Sequence, residues 1–252
     1  MRDCDRDRLP ARLRDRFVPL EPDPVVEAFE TASRPHGALR ATAQRWLRRS
    51  ITDFDADAIL GTHPMAMLGP ASWEALVGRG GRLLDVGAGS GDITAHAVGL
   101  LDAIETTELS WPLVLRLRAR GFTCHRVDLA GGAHLGTFDV VSALNVLDRT
   151  SRPRTLLAAM RAHLAPDGRL LLSVPLPARP HVDVGGATID PDEPLHADGD
   201  TFEAALATLA LRMIEPAGLT VERLARAPYL SRGSEDTPLY VLDAAIVVAR
   251  RS

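Results

Sequence analysis

Two periods of hydrophobic and polar positions divide the chain. From Pro24 to about Gly80 the spacing is helical: Val25, Val26 and Phe29, then Leu39, Ala43, Trp46 and Leu47, recur at i, i+3, i+4 and i+7. Gly61-Thr62-His63-Pro64 and Leu68-Gly69-Pro70-Ala71-Ser72 interrupt this pattern as turns, with Ser72 placed to cap a short helix over 73–77. The first twenty residues are rich in Arg and Asp, which predicts a solvated, frayed segment. Beyond Gly80, short apolar runs alternate with helical stretches. Strands are expected at 82–86, 103–108, 122–127, 138–143, 169–174, 219–224 and 239–249, and helices at 92–100, 110–120, 152–164 and 201–214. Pro166-Asp167-Gly168 reads as the turn that stops the third of these helices. Strands alternating with helices imply right-handed βαβ units. The expected fold is α/β: a seven-stranded, mostly parallel, doubly wound Rossmann-like sheet over 80–252, preceded by an N-terminal helical extension or cap over 1–79.

Composition narrows the function. With 252 residues, 46% of them hydrophobic, the chain can bury one sizeable core. A net charge of −4 argues against nucleic acid or an anionic lipid surface as partner. The longest uncharged stretch, Ala58 to Trp73, is broken by glycines, prolines and a histidine, so no membrane span is expected. Met1-Arg2-Asp3-Cys4-Asp5-Arg6 lacks an apolar signal core, and a cytoplasmic location is expected. Cys4 and Cys124 form neither a CxxC pair nor a zinc spacing, and the eight histidines share no helix face, so no metal site is expected. All 29 basic residues are arginines; without lysine there is no Schiff-base chemistry and no P-loop. Asn145 is the single asparagine, and Tyr229 and Tyr240 are the only tyrosines.

Candidate chemistry begins at Asp85-Val86-Gly87-Ala88-Gly89-Ser90-Gly91, between the first strand and the helix expected after it. Glycines let the backbone turn tightly and approach a ligand, and a following helix offers free N–H groups. The spacing is GxGxG rather than the GxGxxG that suits a pyrophosphate. Glu108, at the end of the second strand, can accept both hydroxyls of a ribose. Asp85, Gly87, Gly89, Gly91 and Glu108 together fit a nucleoside without phosphate, and S-adenosylmethionine is the expected cofactor. Asp128, ending the third strand, can reach the adenine amine; it can equally be a loop acid in a glycine-rich turn. A nicotinamide-dependent dehydrogenase is the rival, weakened by the glycine spacing and the lack of a Tyr-Lys pair.

The fourth strand runs into Leu144-Asn145-Val146-Leu147-Asp148-Arg149. In open parallel sheets ligands lie at the carboxyl ends of the strands, near the switch in strand order. Asn145 and Asp148, three residues apart, share a face if this segment turns helically. An amide beside a carboxylate can hold an N–H or hydroxyl nucleophile next to the cofactor. Capping by Asn145 and a surface ion pair for Asp148 are the plainer alternative.

Leu83-Leu84-Asp85-Val86-Gly87-Ala88-Gly89-Ser90-Gly91, Thr107-Glu108-Leu109-Ser110, Leu144-Asn145-Val146-Leu147-Asp148-Arg149, Ala227-Pro228-Tyr229-Leu230 and Tyr240-Val241-Leu242-Asp243 occur in that order. From about Gly80 onward the chain resembles the DREV family of class I, seven-β-strand methyltransferases, which includes a protein-histidine methyltransferase. The resemblance implies methyl transfer from S-adenosylmethionine to Nπ of histidine in His-x-His motifs of a peptide or protein. It also implies that Glu108 binds ribose, that Asn145 and Asp148 sit at the histidine, and that Tyr229 and Tyr240 shape the peptide pocket. Ser90 departs from it, standing where the family's animal members carry an acid. A neutral imidazole, with a pKa of about 6.5, needs tautomer selection more than a strong base. A carboxylate accepting from Nτ–H would direct attack through Nπ, a role expected of Asp148 with Asn145 completing the hydrogen bonds. A small-molecule methyltransferase and a non-catalytic cofactor-binding module are the other functions that such a fold accommodates.

Overall fold

The structure, a computed structural model, describes residues 4–32, 59–60, 64–184, 187–232 and 239–252. Short helices α1 (Ala11–Arg14) and α2 (Pro24–Ala32) precede a two-residue strand β1 (Met65–Ala66) and helix α3 (Pro70–Val77). Then follow β2 (Arg82–Val86), β3 (Ala103–Thr107), α4 (Trp111–Ala119), β4 (Thr123–His125), β5 (Phe138–Leu144), α5 (Pro153–Ala162) and β6 (Leu164–Leu176). A hairpin of β7 (Val182–Val184) and β8 (Ala187–Ile189) leads to α6 (Phe202–Thr208), β9 (Leu219–Arg232) and β10 (Leu239–Arg251). Leu39, Ala43, Trp46, Leu47 and Gly61-Thr62-His63 lie outside the described residues.

The main sheet has the order β1-β9-β10-β6-β5-β2-β3-β4. All seven expected strands are in it, and β1 adds an eighth by pairing Met65 with Ser231 and Ala66 with Leu230. Strands β4, β3, β2, β5 and β6 are mutually parallel, while β10 runs antiparallel between β6 and β9. The chain leaves β2 through β3 to β4 at one edge and returns to β5 on the other side of β2. That reversal opens the crevice at the carboxyl ends of β2 and β5. Successive side chains of the central strands feed opposite layers: Val140 and Leu83 face α3, whereas Val141 and Leu84 join the core beneath α5 and α6.

Several expectations give way to the structure. The helix read over 92–100 is a single 3₁₀ turn, Thr94–Ala97, because Val98 is extended and Gly99 has φ of 80°. Ser72 does not cap α3; Gly69 occupies that position, Pro70 begins the helix, and the Ser72 hydroxyl donates to Asp23 Oδ2 at 2.8 Å. The Pro166-Asp167-Gly168 turn is a bulge inside β6, between the pairs Phe138–Leu164 and Val140–Arg169. There a Cβ on Gly168 would lie 2.9 Å from the Phe138 carbonyl oxygen. The helix over 201–214 forms, with Thr201 accepting from Ala204 N, but its second half is π-helical over Leu209–Ile214.

The largest departure is at the N-terminus. Residues 4–20 are not frayed: Cys4, Leu9, Leu13 and Phe17 are buried in the core shared with α5 and α6. Val18 N donates to Leu224 O at 2.8 Å and Leu224 N to Arg16 O at 2.7 Å, tying the segment to β9. Asp5 N donates to Glu203 Oε1 on α6 at 3.0 Å. The four-residue spacing of Leu9, Leu13 and Phe17 beneath the surrounding charges supplies the buried face. No helix among the described residues is long and apolar enough to cross a membrane.

Phe17→Ala should therefore destabilise the protein by roughly 3–5 kcal/mol in urea unfolding, as expected for an aromatic lost from a packed core. A change under about 0.5 kcal/mol would mean that the segment is solvated after all.

Candidate active site

The glycine turn is anchored from below and from the side. Asp85, 2% exposed, accepts the Thr94 hydroxyl at Oδ2 (2.5 Å) and the Ser142 hydroxyl at Oδ1 (2.6 Å). Burial pushes its pKa up to about 6, against the pull of the two hydroxyls and with a small push from Glu108. Asp85 thus joins β2, β5 and the 3₁₀ turn under the glycine loop. Gly87 N and Ala88 N both donate to Thr107 O, at 3.0 and 3.1 Å, which ties the loop to β3.

The three glycines have different reasons to be glycine. A Cβ on Gly87 would come within 2.9 Å of Val146, and one on Gly91 within 2.7 Å of Leu117, so both are needed for packing. A Cβ on Gly89 would meet only Met65 Cε, at 3.7 Å. With φ of 58° and open space beside it, Gly89 leaves room over the turn. Its N–H donates to Glu108 Oε2 at 3.0 Å, while Glu108 Oε1 accepts from Leu109 N (2.7 Å) and Ser110 N (3.0 Å). Glu108 is thereby held at the lip of the turn and at the start of α4. The gap above Gly89 and the fixed acid beside it suit an adenosyl group carrying no phosphate.

Across the crevice, β5 ends in a kink. Asn145 has φ of 58°, a left-handed conformation that no other non-glycine residue adopts among the described residues and that asparagine tolerates better than most. Its N–H donates to Ser173 O at 3.1 Å, and its Oδ1 accepts from Ser173 Oγ at 2.7 Å. With both groups fixed on β6, the amide Nδ2 is buried and makes no well-formed hydrogen bond, the Tyr229 hydroxyl being the polar group near it. Asp148, also 2% exposed, places Oδ2 3.2 Å from Arg149 Nε and leaves Oδ1 buried without a partner. Burial raises its pKa, and the neighbouring Arg149 guanidinium opposes that rise.

Tyr229, on β9, closes the same space. Its hydroxyl donates to Met65 Sδ at 2.8 Å. Burial and then the Asp148 charge push its pKa to about 12, with Arg149, Asn145 and Ser231 pulling the other way. The phenol therefore stays protonated in the physiological range. Tyr240 pairs with Ser231 across the hairpin while Leu242 pairs with Tyr229, so the two tyrosines face the same side. Tyr240 is 46% exposed and stands at the rim.

The structure thus brings Asn145, Asp148 and Tyr229 together and sets Glu108 against Gly89. It turns Asp85 toward Ser142 and Thr94. Asp128 caps a short 3₁₀ turn through Ala130 N (2.9 Å) and pairs with Arg152 Nη2 at 3.1 Å, which is the loop reading of that acid. Sequence reasoning missed Ser142, Ser173 and Met65 as site residues. The serines were signalled, each being a hydroxyl set within an apolar run of a parallel strand; Met65 acquires its place only through the pairing of β1 with β9.

Comparison with known proteins agrees with this geometry. The family described as DREV methyltransferase matches residues 3–251, including the N-terminal segment. Among solved structures the chain is similar to DhpI in its complex with SAH, at 16% identity and TM-score 0.52, over 85% of this chain and 97% of that one. It is similar to a putative methyltransferase from Bacillus halodurans, at 13% identity and TM-score 0.51, over 72% and 97%. A third is a protein described by the conversion of a disulfide bond into a thioacetal group during echinomycin biosynthesis, at 18% identity and TM-score 0.53, over 74% and 82%. At these identities the likeness is one of fold.

Two outcomes test the turn. Gly89→Ala should weaken S-adenosylmethionine binding at least tenfold by calorimetry with a stability loss near 1 kcal/mol, whereas Gly91→Ala should mainly lower stability through its contact with Leu117. For Asp85, a folded pKa of about 6 against an ordinary 3.8 means a stabilising contribution present below pH 3.8 and lost as pH rises through 6. Asp85→Asn should remove this fall, of the order of 3 kcal/mol, from urea unfolding compared at pH 4 and pH 7.

Proposed function

This chain belongs to the DREV methyltransferase family, whose cofactor is S-adenosylmethionine, and we propose that it methylates Nπ of histidine in His-x-His motifs of a peptide or protein. The observation that carries the proposal is the pair of unpartnered buried atoms, a donor on Asn145 and an acceptor on Asp148. Burying a polar atom without a partner costs roughly 1–3 kcal/mol. A site that retains one of each sign side by side is suited to a substrate supplying an N–H and a carbonyl oxygen. A histidine residue within a peptide carries both.

In this reading Glu108 and the backbone over Gly89 hold the adenosyl group, which supplies an electrophilic methyl when bound. Asp85 supports the turn from beneath. Asp148 Oδ1 accepts Nτ–H of the neutral imidazole, so the lone pair lies on Nπ. Alignment of that lone pair, rather than removal of a proton, is the main contribution asked of the protein. As the ring becomes cationic, the buried Asp148 carboxylate stabilises it in surroundings where water screens little. Asn145 Nδ2 donates to a carbonyl oxygen of the substrate chain and holds the ring from drifting. Tyr229, protonated throughout, walls the imidazole, and Tyr240 contacts the peptide at the rim.

The reading of 1–79 as a cap on a methyltransferase domain at 80–252 belongs to this proposal, as a cap that shares the domain's core through Leu9, Leu13 and Phe17 and its sheet through Met65 and Ala66. So does a cytoplasmic setting, supported by Cys4 and Cys124, which are buried free thiols.

The test is methyl transfer to a His-x-His peptide and to its Ala-x-His counterpart, followed by mass spectrometry. Rapid labelling of the first at Nπ and at least a tenfold slower reaction of the second are expected. Asp148→Asn should reduce kcat by about a hundredfold or more while leaving cofactor affinity within twofold. Labelling of small molecules alone in a cell extract would favour the small-molecule reading instead.

A further inference from the structure

Asp148 has two further neighbours, Arg149 and His181. Arg149 Nε lies 3.2 Å from Asp148 Oδ2, and the outer nitrogen Nη1 of the same guanidinium reaches both ring nitrogens of His181, Nε2 more closely than Nδ1, which is 2.9 Å away. His181 sits on the segment between β6 and β7. Its Nδ1 is 2.9 Å from Arg179 O, and its backbone N–H donates to Asp148 O at 3.0 Å. A carbonyl oxygen only accepts and a guanidinium only donates, so the tautomer that satisfies both neighbours carries its proton on Nδ1 and turns the Nε2 lone pair to Arg149. A further charged group near the ring is Asp183, whose Oδ2 is 3.9 Å from Nε2. Asp148, Arg149 and His181 therefore form a closed ring of contacts.

We propose that Arg149 and His181 are a positioning pair that fixes the Asp148 carboxylate by its Oδ2 and presents Oδ1 to the substrate. The assignment rests on Asp148 being the group that receives the substrate histidine. A carboxylate buried this deeply tends toward its neutral acid, and a protonated Asp148 has one fewer acceptor for an incoming N–H. The guanidinium beside it favours the anion. A planar guanidinium can face a carboxylate with one edge and an imidazole with another; an ammonium has no such fixed fork. Arg149 alone, at the half-exposed end of the cluster, could swing away toward solvent. His181 prevents that, and its lone pair is available only while the ring is neutral.

The test uses the full chain without substrate, following the Asp148 carboxyl by ¹³C NMR and the His181 ring by ¹⁵N NMR through a pH titration. Arg149→Gln should raise the Asp148 titration by one pH unit or more. His181→Phe should raise it by about half a unit, and His181→Gln, whose amide oxygen can accept from Arg149, should restore it to within about 0.2 units. The neutral form of the wild-type ring should show its proton on Nδ1. In the methylation assay His181→Phe should lower kcat at least fivefold with KM within twofold, and move the acid limb of kcat to higher pH. An unchanged Asp148 titration in both Arg149→Gln and His181→Phe, or a neutral ring whose proton sits on Nε2, would overturn the pairing. If the titrations move as stated but Asp148→Asn turns over like the wild type, the pairing stands and it is the substrate role of Asp148 that fails.

Discussion

Two buried atoms without a well-formed hydrogen bond, Asn145 Nδ2 and Asp148 Oδ1, are the constraint around which the crevice is organised. Folded proteins pair nearly all such atoms. Here the surroundings instead keep them unpaired. Ser173 occupies the other end of the Asn145 amide, and Arg149 occupies the other oxygen of Asp148. Each side chain is therefore fixed by the half not offered to a ligand. The left-handed backbone at Asn145 belongs to the same arrangement, since an extended residue there would continue β5 and carry the amide away from the crevice.

The sheet delivers these groups to one place. Because the chain reverses between β2 and β5, the glycine turn and the Asn145 kink lie on adjacent strands and open to the same end. The Ser142–Asp85 hydrogen bond crosses that boundary directly beneath them, so the two halves of the crevice share one buried support. The antiparallel pair β9 and β10 then brings Tyr229 over the cleft, and β1 adds Met65 as its partner. A methyl donor bound at the turn would face an acceptor bound at the kink without any large movement of the sheet.

Much of this was legible in the amino-acid order. The glycine spacing, Glu108 after the second apolar run and the lone Asn145 ahead of Asp148 mark the crevice because each sits where a strand must end. Less legible were features fixed by distant partners. The N-terminal charges concealed Leu9, Leu13 and Phe17, whose burial depends on β9 and α6 some two hundred residues later. The helix expected after the glycine turn stops early because Gly99 adopts a positive φ, a choice set by the return into β3 rather than by local preference. Asp85 reads as an acid within a ligand loop, yet strand periodicity buries it against Ser142. That Asp148 keeps an unpaired oxygen follows from the Arg149–His181 contact, which brings together residues 32 positions apart.

The most direct measurement is a crystal structure with S-adenosylhomocysteine and a His-x-His peptide bound together. The account predicts an imidazole nitrogen at hydrogen-bond distance from Asp148 Oδ1, a peptide carbonyl oxygen at the same range from Asn145 Nδ2, and the other ring nitrogen pointing at the sulfur. It would be contradicted by a complex in which the peptide lies elsewhere, or in which both atoms find partners within the protein and the imidazole touches neither.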